Sequence, residues 1–139
     1  MSDLRATYAA IHESVANADA AAPNHLRAEL TDLFVNHPAV RPHDQCRPAN
    51  AKMIRYKLTN GLSLGHQIET TPQHLWFAVS KADLPPSLSG AKIYPATVDG
   101  KGRHSNVNQM PDLRDKAVVR LTVSTVEEAE TLLNHLVAD

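Results

Sequence analysis

The sequence predicts an α+β domain with two N-terminal helices, a mainly antiparallel sheet of about four strands with one hairpin at 52–68, and a C-terminal helix packed on the sheet. Three observations predict it. Apolar residues recur at helical spacing near both ends of the chain. They alternate with period two on either side of Asn60-Gly61, a strong hairpin signal. Two further apolar runs of strand length, Leu75 to Val79 and Ala117 to Val123, lie beyond the hairpin.

The first helix is expected over 3–17. Ser2 is placed to cap it, and Leu4, Tyr8, Ile11 and Val15 form one stripe. The alanines of 18–22 favour more helix, but Pro23 ends it. Asn24 then caps a second helix whose Leu26, Leu30, Leu33 and Phe34 share a face, and which stops before Pro38. Residues 38–50 carry Pro38, Pro42 and Pro48 and read as a connection. The chain is therefore a single domain over 1–139, with a helical segment to 37, the proline-rich connection, and a sheet-plus-helix unit from 51.

The apolar faces decide the hairpin turn. Ile54, Tyr56 and Leu58 alternate with Met53, Arg55 and Lys57, and Leu62, Leu64 and Ile68 alternate with Ser63, Gly65 and Gln67. A two-residue turn would put the two apolar sets on opposite faces. A three-residue turn, Thr59-Asn60-Gly61, pairs Leu58 with Leu62 and Tyr56 with Leu64, with Gly61 in the left-handed position of a bulge. The third strand turns Leu75, Phe77 and Val79 to the core and Trp76 to the opposite face. The fourth turns Val119, Leu121 and Val123 inward and Arg120 and Thr122 outward. Ser124 or Thr125 caps the last helix, with Glu127 or Glu128 completing a capping box. Its apolar stripe is Val126, Ala129, Leu133, Leu136 and Val137. Between the last two strands, residues 80–116 show little periodicity. A short strand at Ala91 to Tyr94 and a helical turn at Ser105 to Met110 are the only elements suggested there.

Composition narrows the function classes. One cysteine, Cys46, rules out a disulfide framework. The first residues lack a basic segment followed by an apolar run, and no window approaches the roughly 18 apolar residues of a membrane span. A cytoplasmic location is expected. The net charge of −1 hides a pattern. Residues 1–34 are acidic by three charges and 121–139 by four, while 35–89 and 90–120 are each basic by three, so one surface of the fold can be cationic. The opposing expectation is that the acidic end helices pair with the basic middle.

The richest candidate segment is Gly100-Lys101-Gly102-Arg103-His104-Ser105-Asn106-Val107-Asn108. Its glycines allow close backbone approach, Lys101 and Arg103 supply charge, and Ser105, Asn106 and Asn108 supply hydrogen bonds. With Val107 its one apolar residue, it is not expected to build core. It matches neither the phosphate-loop pattern nor the dinucleotide fingerprint. Arg55, Lys57, Arg120 and Trp76 share one sheet face, where cations around an aromatic ring suit a nucleic-acid strand unless the N-terminal helices cover it. His37, His43 and Cys46 have zinc-ligand chemistry but form an incomplete set, so no metal site is expected. Cys46 with His43, or His104 and Ser105 with Asp112, offer residue types of a hydrolase or transferase without an assembled motif. No cofactor motif is present.

These observations lead to one expectation. The chain is a small binding module for an anionic ligand, most simply a nucleic acid, contacted by Lys92, Tyr94, Lys101, Arg103, His104, Ser105, Asn106 and Asn108 of the 92–108 loop and extended by Arg55 and Lys57. The alternatives are a protein-interaction module of inhibitor, immunity or adaptor type, and a small enzyme using His104 or Cys46.

Overall fold

The computed structural model describes residues 4–42, 52–81, 83–97, 107, 110 and 112–138. Two helices, α1 (Leu4–Ala21) and α2 (His25–Asn36), precede the strands β1 (Val40–Pro42), β2 (Met53–Leu58), β3 (Ser63–Gln67), β4 (Gln73–Ala78), β5 (Ala91–Tyr94) and β6 (Val118–Val123), and α3 (Val126–Val137) closes the chain. The strands form one sheet in the order β1-β2-β3-β4-β6-β5, with every neighbouring pair antiparallel. The architecture is α+β, with six strands rather than the expected four. The two extra strands are the edges. β1 occupies the start of the expected proline-rich connection, where Pro42 is tolerated because an edge strand can spare an N–H. β5 is the short strand suggested at Ala91 to Tyr94. No helix among the described residues is long and apolar enough to cross a membrane.

The hairpin has the three-residue turn. Tyr56 lies opposite Leu64 and Lys57 opposite Ser63. The Leu58 N–H donates to the Leu62 carbonyl at 2.8 Å, and Gly61 has φ 92°, a conformation that favours glycine. Asn60 adds a tertiary contact, because its amide donates to the Leu136 carbonyl at 2.8 Å in the last turn of α3. The hairpin tip thus satisfies a carbonyl that the helix end leaves open.

Helix boundaries follow their caps. Asn24 accepts from the Arg27 N–H, and Thr125 accepts from the Glu128 N–H while the Glu128 carboxylate takes the Ser124 N–H. The three helices cover one sheet face. There Ile54, Tyr56, Leu64, Leu75, Phe77 and Leu121 pack on Ile11, Leu30, Phe34 and the buried stripe of α3, which includes Leu132. Val79 departs from the expected third strand. The strand ends at Ala78, and Val79 opens a 3-10 turn with its side chain exposed.

The opposite face is covered as well. Met53, Trp76 and Val118 pack against Val107, Met110 and Leu113 of the connection between β5 and β6. Trp76 is buried, but under this connection and not under the N-terminal helices. Val107 is part of that cluster, so the segment expected to stay out of the core contributes to it.

Arg27 and His66 are buried polar side chains on the helix-covered side of the sheet. Arg27 is 1% exposed, although it sits beside the apolar stripe of α2. Its Nη1 donates to Asp19 at 2.6 Å and to the Ala22 carbonyl at 2.9 Å, and its Nε donates to the Ile68 carbonyl at 2.8 Å. One guanidinium therefore ties the end of α1, the start of α2 and the end of β3. His66 falls between Leu64 and Ile68 on the helix-covered face, edge-on to Phe34. Its Nε2 lies 2.7 Å from Gln73 Oε1, and the Gln73 amide donates to the Thr70 carbonyl, so the ring is the neutral tautomer with hydrogen on Nε2. Burial lowers its pKa to about 4, with the Gln73 hydrogen bond opposing and the Arg27 charge adding to the shift.

Two measurements check this core. Replacing Arg27 by Met strands the buried Ile68 carbonyl and leaves Asp19 without its ion-pair partner, and we expect a loss of ~2–4 kcal/mol in denaturant unfolding. Asp19→Asn should cost less, because the Asp19 side chain is partly solvated. For His66 the folded pKa lies below its ordinary 6.5, so its contribution is complete above pH 6.5 and is lost as pH falls toward 4. We expect up to ~3 kcal/mol of destabilisation across that window, and a flatter profile for His66→Gln. Equal slopes for the two proteins would contradict the assignment.

Candidate anion-binding site on the outer sheet face

The register of β4, β5 and β6 gathers a polar cluster beside the second apolar core. Lys92 and Trp76 both lie opposite Arg120, Tyr94 opposite Val118, and His74 opposite Thr122, so all these side chains share the face away from the helices. Gly90 lets β5 approach this closely. Its carbonyl accepts from the Thr122 N–H at 3.0 Å, and a Cβ there would lie 2.6 Å from the Thr122 oxygen.

Tyr94 is the centre of the cluster. Its ring packs on Trp76 with centroids 5.0 Å apart, and the Trp76 indole N–H is held by Gln67 Oε1 at 2.9 Å. The Lys92 ammonium lies 4.8 Å from the Tyr94 centroid and the Arg120 guanidinium carbon 5.6 Å from it. Cation–π attraction holds both cations on one ring, offsetting part of their mutual repulsion. Among the described residues, neither cation forms an ion pair with a carboxylate. The Arg120 Nε is buried without a hydrogen-bond partner. His74 stands beside them, its Nδ1 2.8 Å from Thr122 Oγ1. Burial and then the charge of Arg120 hold its pKa below the usual value. The result is a pair of like-charged cations beside hydrogen-bonding neighbours, an arrangement suited to an oxyanion.

The nominated residues separate in space. Lys92 and Tyr94 belong to the cluster. Lys101, Arg103, His104, Ser105, Asn106 and Asn108 lie outside the described residues. Arg55 is 0% exposed, so it cannot extend a contact surface. Its side chain lies on the outer face, with its backbone opposite Gly65. Lys57 is exposed on β2, but four strand spacings, roughly 19 Å, separate β2 from β5. It does not join Lys92.

The other candidate sets resolve differently. Asp112 accepts from both the backbone N–H and the hydroxyl of Ser63, which anchors the β5–β6 connection to β3 and occupies the carboxylate of the supposed triad. His43 and Cys46 lie outside the described residues, and His37 Nδ1 accepts from the Ala39 N–H at 3.1 Å. No group of three or more His, Cys, Asp or Glu side chains suited to a metal ion occurs among the described residues. His74 and Thr122 were absent from the expected site. Extending the alternation of β4 and β6 by one residue pair would have placed them on the same face as Trp76 and Arg120.

In comparisons with known proteins, no family model, curated protein or solved structure matches the chain.

Trp76, the only tryptophan, reports on the cover over this face. We expect blue-shifted emission in the folded protein. Leu113→Ala should lower stability by ~2–5 kcal/mol and move the emission to the red. A solvent-like spectrum in the unaltered protein would contradict the burial of Trp76.

Proposed function

We propose that the protein is a small binding module for an anionic ligand, with nucleic acid the leading candidate. The observation that carries this reading is the Lys92–Tyr94–Arg120 cluster, two cations held on one aromatic ring with no ion pair to a carboxylate among the described residues. A phosphate bridging Lys92 and Arg120 would satisfy the buried Arg120 Nε as well as both charges. The faces of Tyr94 are engaged by Trp76 and the two cations, which favours backbone contact over base stacking. In this reading Lys101 and Arg103 of the adjoining loop add further phosphate contacts.

A second reading, a protein-interaction module, is favoured by a different observation. Ile93 on the edge strand β5 is 57% exposed, a large apolar side chain beside an open strand edge. Salt separates the two readings, because counterion release makes phosphate binding fall steeply with ionic strength while an apolar contact responds less.

Fluorescence anisotropy with labelled single- and double-stranded DNA and RNA, titrated across salt, tests the proposal. We expect binding whose log–log salt slope is about −0.9 per phosphate contact on duplex DNA and about −0.7 on single strands. Lys92→Glu and the double change Lys101→Glu with Arg103→Glu should each weaken it at least ~fivefold and reduce the slope. Binding untouched by both charge reversals, or none at low salt, would overturn the reading.

A further inference from the structure

A groove of about 280 Å³ lies on the helix-covered side of the sheet, apart from the cation cluster. One wall is a face of α1, with Ser14, Asn17, Ala18 and Ala21 at helical spacing and Ala22 just beyond the helix. The other wall is Lys52, Ile68 and Glu69 at the ends of β2 and β3. Small alanine side chains leave this space open where larger ones would close it.

The walls are held rigidly. The buried Arg27 guanidinium donates to the carbonyls of Ala22 and Ile68, one on each side of the groove. The site is therefore preformed, which lowers the ordering cost of binding.

Its polar groups point to a ligand. Ser14 is 2% exposed, and its hydroxyl is buried with no hydrogen-bond partner. A helical serine ordinarily bonds back to the preceding turn or faces solvent. An unsatisfied buried hydroxyl on an alanine face destabilises the fold, and an alanine in its place would avoid that. The rim carries opposite charges, with Lys52 Nζ 4.0 Å from Glu69 Oε2 and the Lys52 side chain largely in solvent. At 4.0 Å, with Lys52 in solvent, this pair is weak, while the other Glu69 carboxylate oxygen accepts from the Gln67 amide at 3.2 Å and is held in place on the rim.

We propose that the groove binds a free α-amino acid whose short aliphatic side chain ends in an amide or hydroxyl. The ligand carboxylate meets Lys52 and its ammonium meets Glu69. Its methylene groups lie against Ala18, Ala21 and Ile68, and its polar tip supplies the partner that Ser14 lacks. The volume suits such a molecule. It exceeds the roughly 150 Å³ cavity that holds benzene and falls just below the usual range for larger ligands.

The test is a titration of the full chain with L-glutamine, followed by backbone amide NMR shifts and calorimetry. We expect saturable binding with Kd of about 1 mM or tighter, and shifts centred on Ser14, Ala18 and Lys52. L-norleucine, which lacks the polar tip, and butyrate, which lacks the ammonium, should bind at least ~fivefold more weakly. Ser14→Ala should weaken glutamine binding about tenfold while leaving the melting temperature unchanged or raised, an outcome that a purely structural Ser14 would not give. Lys52→Met should weaken it similarly. No saturable shift with L-glutamine, L-asparagine or L-threonine up to ~10 mM would overturn the proposal. So would equal affinity for butyrate, or binding indifferent to Ser14→Ala. The outcome is independent of Lys92→Glu and its effect on nucleic acid.

Discussion

The structure depends on covering a sheet that carries apolar side chains on both faces. The helices suffice for the face carrying Leu64, Leu75, Phe77 and Leu121. The opposite face exposes nothing of Met53, Trp76 and Val118 only because Val107, Met110 and Leu113 fold over them. Each such side chain is worth roughly 1.5–3 kcal/mol when buried, so the second cluster is comparable with the whole net stability of a domain this size. Val107, Met110 and Leu113 of the connection between β5 and β6 are accordingly structural residues. The anchor of this connection is polar. Asp112 takes both hydrogen-bond donors of Ser63, and the Thr97 N–H meets the Asp115 carbonyl at 3.0 Å.

That cover also places the candidate site. The apolar layer ends at Trp76, and Tyr94 continues it toward the edge, where Lys92 and Arg120 emerge. A cation pair is tolerated there because an aromatic ring, rather than hydrocarbon, faces the charges. A base seeking the indole would find it already occupied. The surface is better suited to a charged group than to a stacked one, and its chemistry follows from how the second core is closed.

Arg27 plays the corresponding role on the helix side. A single buried guanidinium joins α1, α2 and β3, and it lies close enough to His66 to disfavour a second positive charge. Among the described residues, the buried positive charge on that side of the sheet is Arg27, held by three hydrogen bonds, with His66 kept neutral by desolvation. The same bonds hold apart the two walls of the groove beside Ser14.

The sequence by itself determined whatever depends on neighbours along the chain. Alternation around Asn60-Gly61 requires the three-residue turn, because only that register puts Ile54, Tyr56, Leu58, Leu62, Leu64 and Ile68 on one face. Asn24 and Thr125 cap their helices through hydrogen bonds spanning three residues. The inward and outward sets of β4 and β6 follow from period two, which is why Trp76 and Arg120 could be placed together. Only the tertiary structure decided what depends on distant partners. Val40–Pro42 becomes a strand because β2 is beside it, and Arg27 is buried because Ile68 and Asp19 receive its hydrogens. Val107 enters a core because an otherwise uncovered sheet face lies beneath it. Arg55 and Lys57 differ by two residues and share a face, yet one is buried and the other reaches solvent. Periodicity states which way a side chain points. It does not state what lies above it.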